Sequence, residues 1–420
     1  MSVKSNRPVI SGQVQQIYER LTADPNVQAG LQFLEQDHDR TIEEQIELTE
    51  IEAPTFDETA KGEVYKRKLE QLGIQNVTVD ETGNVFGLRR GSGDGPSLVV
   101  CAHLDTVFPA GTDVKAKHRD GRIYAPGIAD DGRGLAVVLT IARALQHTGI
   151  RSVGDLIIGA TVGEEGLGDL RGVKALFTGH SDIDGFISVE PGEPERITYL
   201  AAGSKRYKVT FHGTGGHSFA DFGIPNPIHA LGRAIAGIAE IRTPAEPKTT
   251  FSVGVVEGGT SVNTIAEEAA LLLDMRSSSA EALAELEQQA LSIIHQAAHA
   301  ENARWNREDE LIVKLELVGD RPAGEQSADA IIVQAAAAAN QSMRLEPELE
   351  DATSTDSNVA ISLGIPAVTL GGGGDYGGMH TLDEYFDPAG AYLGAQYVFL
   401  VILGLVGLDG VTPPLLSKRK

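Results

Sequence analysis

The chain has 420 residues, 41% of them hydrophobic, which is enough for two or three domains with a sizeable core. Its 59 acidic residues outnumber 35 Lys and Arg, and a formal charge of -24 disfavours binding to nucleic acid or to an anionic membrane surface. The single cysteine, Cys101, excludes an internal disulfide, and the first residues lack the apolar core of a signal peptide, so we expect a cytoplasmic protein.

The period of the apolar residues predicts the order of helices and strands. The first 75 residues have helical spacing, and short β-rich runs alternate with a helix after them. The predicted elements are helices at 13–34 (interrupted near Pro25), 41–51 and 58–72, strands at 76–80, 84–90 and 97–105, a helix at 135–147, and strands at 155–165 and 185–193. Continuous apolar strands that alternate with helices predict an α/β fold whose sheet is covered by helices on both faces.

Residues 203–320 follow a different pattern. Their strands alternate apolar and polar residues, and their elements follow the order β-α-β-β-α-β, which can close a layer of its own. We therefore predict an inserted, smaller α+β domain at 203–320 and a larger domain formed by 1–202 and 321–420. Within the larger domain, a helix at 328–343 and a strand at 366–370 resume the α/β pattern.

An apolar run near the end of the sequence, residues 391–408, approaches the length of a membrane span. Its first half contains Gly and Ala residues around Gln396, and no second run of this length is found in the sequence. These features favour a buried terminal helix over a membrane helix.

Histidines and carboxylates are concentrated in loops that follow predicted strands or a glycine-rich turn. They are His103 and Asp105, Asp130 and Asp131, Glu164 and Glu165, Glu190, and His380. Because the carboxyl ends of parallel strands meet at one edge of a sheet, we expect these loops to converge. Adjacent buried carboxylates raise each other's pKa unless a cation compensates them. Imidazole and carboxylate donors suit zinc, or cobalt or manganese.

The charges of these residues suit two divalent ions. The carboxylates of Asp130, Glu165 and Glu190, together with one bridging hydroxide, neutralise such a pair. Taken singly, each residue has a simpler explanation: His103 fits a core histidine, Asp131 a helix cap, and the others loop or turn residues. The repeated occurrence of such loops in order favours a metal centre over these separate explanations.

The motifs HLDTV, GIADD, GEEG, VEPG and GMHT, in this order, resemble the dinuclear-zinc family of aminoacylases, glutamate carboxypeptidases and peptidase-T-like tripeptidases. The resemblance covers nearly the whole chain. It implies a zinc-exopeptidase-like mixed sheet sandwiched by helices, with the inserted domain serving as a lid or dimerisation domain. It also implies two Zn²⁺ per chain, one bound by His103, Asp130 and Glu190, the other by Asp130, Glu165 and His380.

The same resemblance assigns roles to neighbouring residues. It implies that Asp105 orients His103, that Glu164 is the general base, and that the peptide bond between Asp130 and Asp131 is cis. A water that bridges the two ions and loses its proton to Glu164 is then expected to attack the amide carbonyl.

In the inserted domain, the resemblance implies that His217 helps to hold the oxyanion, in some relatives from the partner subunit, so we expect a homodimer. Arg276 and Asn263 match positions that bind the substrate carboxylate or backbone, and the backbone of Gly372 and Gly373 is expected to approach the substrate. From the residues alone, Arg276 also fits a surface ion pair, and His217 fits a turn or an interface.

The leading hypothesis is a zinc-dependent exopeptidase, tripeptidase-like or carboxypeptidase-like, that hydrolyses amide bonds of short peptides and binds a substrate carboxylate through Arg276. An N-acyl-amino-acid amidohydrolase of the aminoacylase or deacetylase kind is the alternative. Glu at position 190 resembles carboxypeptidases and acyl-amino-acid hydrolases, whereas GIADD and GGHSFADFGIPNPIHA resemble peptidase T. A catalytically inactive metal-binding scaffold is disfavoured because Glu164, the expected base, is present.

Overall fold

The computed structural model describes residues 8–180 and 182–419, which divide into two compact units. Unit 1 extends to Ala201 and resumes at Glu325, and unit 2 is Ala202–Gly324. The helices are α1 (Gly12–Ala23), α2 (Pro25–Gln36), α3 (His38–Thr49), α4 (Thr59–Gln71), α5 (Gly132–Thr148), α6 (Arg171–Gly179), α7 (Pro227–Ala239), α8 (Ala280–Arg304), α9 (Ile331–Ser342), α10 (Ser357–Ser362) and α11 (Tyr392–Val406). The strands are β1 (Gln75–Val79), β2 (Val85–Arg89), β3 (Ser97–His103), β4 (Lys117–Arg119), β5 (Arg122–Tyr124), β6 (Asp155–Thr161), β7 (Gly185–Glu190), β8 (Arg196–Thr198), β9 (Gly203–His212), β10 (Gly216–His217), β11 (Thr249–Gly258), β12 (Thr264–Ile265), β13 (Glu268–Ser277), β14 (Ile312–Arg321), β15 (Glu348–Leu349), β16 (Ala367–Gly371), β17 (Asp375–Gly377) and β18 (Tyr385–Asp387).

The main sheet of unit 1 is mixed and has the strand order β1-β2-β6-β3-β7-β16-β8-β15. The central strands β6, β3, β7 and β16 run parallel, whereas β1 and β2 pair antiparallel with each other and β2 pairs antiparallel with β6. On the other side, β8 is antiparallel to β16. The parallel centre therefore directs the carboxyl ends of its strands to one edge.

Both faces of this sheet are buried. In β3, Leu98, Val100 and Ala102 belong to a core cluster with residues of α1, α2, α5, α9 and α11. The alternate residues Val99 and Cys101 belong to a second cluster with residues of α6 and α10. Since successive side chains of a strand point to opposite faces, the two clusters lie on opposite sides of the sheet. The predicted α/β fold with helices on both faces is confirmed.

The apolar run near the end of the sequence forms α11, a helix of 15 residues that is buried along most of its length. It packs closely on α2, where a Cβ added to Gly30 would lie 2.7 Å from Cζ of Phe399. In the part of the chain that the structure describes, no helix is long and apolar enough to cross a membrane. The prediction of a buried terminal helix is confirmed.

A second, four-stranded sheet of unit 1, with the order β17-β18-β5-β4, has no counterpart among the predicted elements. Each of its strands has three residues, too few to establish a two-residue period in the sequence. Within it, Tyr385 of β18 pairs with Tyr124 of β5. This pairing brings the segment that follows His380 next to the segment that precedes Asp130.

Unit 2 is a four-stranded antiparallel sheet, β11-β13-β9-β14, whose core is shared with α7 and α8. The principal elements follow the predicted β-α-β-β-α-β order, and a short ribbon of β10 and β12 is added to them. Edge strand β11 is largely solvent-exposed, with Val255 41% and Val256 54% exposed. Unit 2 therefore presents an apolar sheet edge.

Candidate metal centre

The residues predicted at strand ends converge at the carboxyl edge of the parallel strands of unit 1. His103 is the last residue of β3, Glu190 is the last residue of β7, and Glu165 lies four residues after the end of β6. Asp130 lies in the turn before α5, and His380 lies between β17 and β18. The sheet order places these loops side by side, as expected for a site at the ends of parallel strands.

Asp130 lies at the middle of this group. Its Oδ1 is 3.0 Å from Nε2 of His103, and its Oδ2 is 3.0 Å from Nε2 of His380. Oε2 of Glu190 is 3.7 Å from Nε2 of His103, and Oε1 of Glu165 is 3.1 Å from Nε2 of His380. By the imidazole that each carboxylate faces, the donors form two groups: Asp130 and Glu190 with His103, and Asp130 and Glu165 with His380. Donor atoms of His103, Asp130 and Glu165 also lie within 4.8 Å of one another, so Glu165 is near both groups.

The spacing of these donors suits small divalent ions. Donor atoms about 2.0–2.2 Å from a tetrahedral ion lie about 3.3–3.6 Å from one another. The four distances between an imidazole nitrogen and the carboxylate oxygens it faces, 3.0, 3.7, 3.0 and 3.1 Å, are close to this range. In the described part of the chain, Oε1 of Glu190 is also buried without a hydrogen-bond partner. A buried carboxylate oxygen without a donor favours a cation nearby. The residues present therefore fit a metal ion.

The electrostatics of the group also favour added positive charge. Burial opposes the charged form of His103, but the carboxylates of Glu190 and Asp130 outweigh it and raise the pKa of His103 well above its ordinary value. Hydrogen bonds to Asp130 and Glu165 raise the pKa of His380 to about 10. Burial raises the pKa of Glu190 to about 7. Without a metal ion, protons on the imidazoles compensate the carboxylates, so protons and metal ions compete for these donors.

Asp131 lies near the same donors, and one of its oxygens is within 4.8 Å of donor atoms of His103 and Glu190. Its Oδ2, however, accepts the main-chain N–H of His103 at 3.0 Å, and its Oδ1 accepts that of Gly134 at 2.9 Å. It caps the N-terminus of α5, which confirms the helix-cap interpretation. The Asp130–Asp131 peptide bond is cis, as the resemblance implied. Asp130, whose carboxylate faces both imidazoles, is the better candidate ligand.

Asp105 contacts His103 differently from the expected side-chain contact. Nδ1 of His103 is 2.9 Å from the main-chain oxygen of Asp105 and 3.7 Å from its Oδ1. The carboxylate instead accepts the main-chain N–H groups of Glu164 and Glu165, at 3.1 and 3.0 Å, and the hydroxyl of Thr55 at 3.0 Å. Asp105 therefore orients the imidazole through its carbonyl group and holds the Glu164–Glu165 turn through its carboxylate.

Glu164 and Glu165 are both buried, 7% and 5% exposed, but they do not extend the strand. β6 ends at Thr161, and Gly163 has a φ of 72°, so the chain turns before the pair. The predicted strand at 155–165 is too long at this end. The pair is therefore positioned by the loop and by Asp105, not by the alternation of a strand.

The glycine loop after β16 uses its amide groups within the protein. The N–H of Gly372 donates to the main-chain oxygen of Glu190, and that of Gly373 to the oxygen of Gly192, each at 2.8 Å. The buried guanidinium of Arg133 donates to the carbonyl of Gly372 at 2.8 Å. These bonds account for the close backbone approach, and they leave neither N–H group for a substrate. The approach of the Gly372–Gly373 backbone to the substrate stays a prediction.

In unit 2, the structure brings His217 and Asn263 together and leaves Arg276 apart. His217 pairs with β12, and the next residue, Ser218, donates its N–H to the main-chain oxygen of Asn263. Arg276 is near the far end of β13, eight residues after Glu268, which is about 27 Å along a strand. Its side chain is 47% exposed and donates to Asp274 at 2.8 Å. One short ligand therefore cannot contact both His217 and Arg276 of the same unit 2.

Glu384, which contacts the loop that carries Asp130, was not among the residues predicted from the sequence. Its side chain is 0% exposed, and it accepts main-chain N–H groups of that loop. An acidic residue four positions after His380 was its sequence signal, but the two neighbouring carboxylates in GMHTLDEY are equally typical of a solvated turn. Only the short β5–β18 pairing, which the sequence did not reveal, places it in the interior.

The model of peptidase family M20/M25/M40 matches residues 99–403. The chain belongs to this family. The M20 chain is 27% identical over 360 residues to uncharacterized protein YqjE of Bacillus subtilis, covering 82% of this chain and 92% of that protein. It is 29% identical over 282 residues to succinyl-diaminopimelate desuccinylase of Methylobacillus flagellatus, covering 61% of this chain and 73% of that protein.

A solved tripeptidase structure from Staphylococcus aureus has the same fold. It superposes with a TM-score of 0.73 at 24% identity, covering 87% of this chain and 97% of that one. The M20 chain is thus a hydrolase of the peptidase or amidohydrolase type, in a family that depends on metal ions. His103, Asp130 and Glu165 are among the residues placed to hold a metal ion.

Proposed function

We propose that this M20 chain is a dinuclear zinc exopeptidase that removes a residue from short peptides, in the manner of tripeptidases and carboxypeptidases. The observation that carries the proposal is the carboxylate of Asp130, which faces His103 through one oxygen and His380 through the other. Glu190 completes the first group of donors and Glu165 the second. A carboxylate shared in this way suits two ions close together.

The ions, when bound, polarise the substrate carbonyl and make a nucleophilic oxygen available at neutral pH. In the proposed reaction, Glu164 takes a proton from the attacking water and donates it to the leaving nitrogen. Its neighbour Glu165 faces His380, whereas the main chain of Glu164 is held by Asp105. Burial of Glu164 keeps bulk water from exchanging the proton during this transfer.

The proposed substrate contacts lie in unit 2. The guanidinium of Arg276 binds the carboxylate at the end of the peptide, for which its planar fork is well suited. Its half-exposed position allows this, although the substrate has to compete with Asp274 for the guanidinium. Asn263 and His217, which lie together, contact the substrate backbone and the developing oxyanion.

The proposed enzyme is a homodimer, because His217 and Arg276 are too far apart within one unit 2 to bind the same short peptide. An extended tripeptide spans only about 10 Å. In a two-fold dimer, the second copy supplies the missing contact. The exposed β11 edge, with Val255 and Val256, offers a surface for such pairing. The proposed location is the cytoplasm, where the single thiol of Cys101 remains reduced.

Complementation tests the shared site. His217→Ala and Glu164→Ala proteins are each expected to be inactive. Differently tagged and purified as a heterodimer, they are expected to recover about half of the wild-type kcat per dimer, since one of the two sites is then complete. A heterodimer of Glu164→Ala with Asp130→Asn, both altered in the metal centre, should remain inactive. Activity in His217→Ala alone, or none in the mixed dimer, contradicts a histidine supplied by the partner.

The substrate class is tested with a panel of compounds and the zinc-loaded enzyme. We expect hydrolysis of free tripeptides and dipeptides, and a large fall in kcat/KM when the terminal carboxylate is converted to an amide. The alternative, an N-acyl-amino-acid amidohydrolase, is favoured by the likeness to a desuccinylase, and Glu at position 190 fits it as well as it fits a carboxypeptidase. Turnover of N-acetyl or N-succinyl amino acids with no peptide hydrolysis would establish that alternative. Binding of two ions without any turnover would indicate an inactive scaffold.

A further inference from the structure

Glu384 makes an unusual set of contacts for a residue outside both donor groups. Its Oε1 accepts the main-chain N–H of Ala129 at 2.9 Å and that of Asp130 at 3.0 Å. Its Oε2 accepts the N–H of Gly127 at 3.0 Å, and its own carbonyl accepts the N–H of Ala125 at 3.2 Å. A carboxylate that is 0% exposed thus holds most of the turn that ends in Asp130.

These bonds matter because the turn has no regular secondary structure to hold it. Residues 125–131 connect β5 to α5, and Gly127 has a φ of 79°. A buried main-chain N–H without an acceptor is costly, and a carboxylate is the strongest acceptor that a side chain offers. The carboxylate of Glu384 therefore selects the one path of the turn that directs three N–H groups towards it.

The same residue is also tied to His380 by the chain. The N–H of Thr381 donates to the oxygen of Gly378, and the N–H of Glu384 donates to the oxygen of Thr381, so the connecting segment is a compact series of turns. One end of this segment carries His380, and the other end carries the carboxylate that holds the Asp130 turn. Movement of one donor relative to the other therefore strains the contacts of Glu384.

We propose that Glu384 is a positioning residue of the metal centre, which sets the carboxylate of Asp130 against the imidazole of His380 and thereby governs binding of the ion shared with Glu165. This inference rests on the metal centre of the proposed function. It predicts that a change at Glu384 weakens that ion most, because two of its three donors, Asp130 and His380, depend on Glu384. The other ion depends on Glu384 only through Asp130, and it keeps His103 and Glu190 at the ends of main-sheet strands.

The test compares Glu384→Gln with Asp80→Asn. The glutamine preserves size but turns one acceptor into an N–H₂ donor that faces a main-chain N–H. Asp80 is a matched control, because its Oδ1 also accepts three main-chain N–H groups, in the turn between β1 and β2. For each protein, metal stoichiometry and affinity are measured by competition with a chromophoric chelator, together with the visible spectrum of the cobalt form and the unfolding midpoint.

We expect Glu384→Gln to weaken one of the two ions by about 10–100-fold and to change the cobalt spectrum, the usual scale for an outer partner of a ligand. Asp80→Asn should leave both unchanged. A folded Glu384→Gln protein with wild-type affinity and spectrum overturns the inference, as does equal loss of metal in both variants. If Glu384→Gln does not fold, the test uses Glu384→Asp, which retains the charge but is one methylene shorter. Wild-type metal binding by Glu384→Asp would also overturn the inference. Wild-type protein that binds no ion pair instead refutes the proposed function.

Discussion

Replacing Glu164 by Ala is expected to abolish peptide hydrolysis and to leave two ions bound. A positioned general base contributes about 10²–10⁴-fold to turnover, so kcat should fall by a factor of about that size or more. Metal binding should survive because Glu164 belongs to neither group of donors around Asp130. The turn itself should also survive, because Asp105 holds Glu164 by its main-chain N–H, which Ala retains.

The measurement is kcat and KM on a tripeptide, with metal content determined on the same samples. Glu193→Ala is a suitable control, since it removes an exposed carboxylate shortly after Glu190 in the chain. Unchanged turnover in Glu164→Ala would show that Glu164 is not the general base. Loss of an ion together with activity would instead assign Glu164 to the ligands.

Replacing Asp130 by Asn is expected to release both ions, an effect that no other single donor shares. The amide preserves the size of the side chain but removes the charge that faces His103 and His380. Each ion should bind at least about 100-fold more weakly. Changing a residue that only supports a ligand usually weakens metal binding by about 10–100-fold, so the loss of a ligand should exceed that effect. Hydrolysis should be lost with the metal.

Glu165→Gln and Glu190→Gln are the comparison for this prediction. Glu165 lies 3.1 Å from the imidazole of His380, and Glu190 lies 3.7 Å from that of His103. Neither carboxylate is shared as that of Asp130 is, so each substitution should weaken mainly one ion. Equilibrium dialysis followed by elemental analysis gives the number of ions per chain. If Asp130→Asn loses only one ion, Asp130 is not shared, and the dinuclear arrangement proposed above is wrong.

Most of the candidate metal-site loops were predictable because an apolar run long enough to be recognised as a strand precedes them, whereas the loop of Asp130 was marked only by its glycines. β3 before His103 and β7 before Glu190 are continuous apolar strands, and parallel pairing directs their ends to one edge. The helix-cap role of Asp131 was also predictable, because a cap depends only on residues next to it in the chain.

The contacts that orient these residues were not predictable in the same way. The motif predicts a link between Asp105 and His103, but only the folded chain shows that the link uses the carbonyl and that the carboxylate holds the turn at Glu164. The glycines at 372 and 373 indicated close approach of the backbone, and only the folded chain shows that they contact Arg133 and the main chain near Glu190. In each case a hydrogen-bond donor has several acceptors within reach, and the packing of distant segments determines which one it binds.

The order of the longer strands and helices, the apolar core and a set of candidate donor residues could thus be predicted from the sequence alone, because periodicity and motif spacing act over a few neighbouring residues. Tertiary structure decided how the donors are aimed. Asp130 and His380 are 250 residues apart in the chain, and their meeting depends on three-residue strands and on the buried carboxylate of Glu384. Such contacts leave no periodic pattern in the sequence, because they become stable only when both segments are already in place.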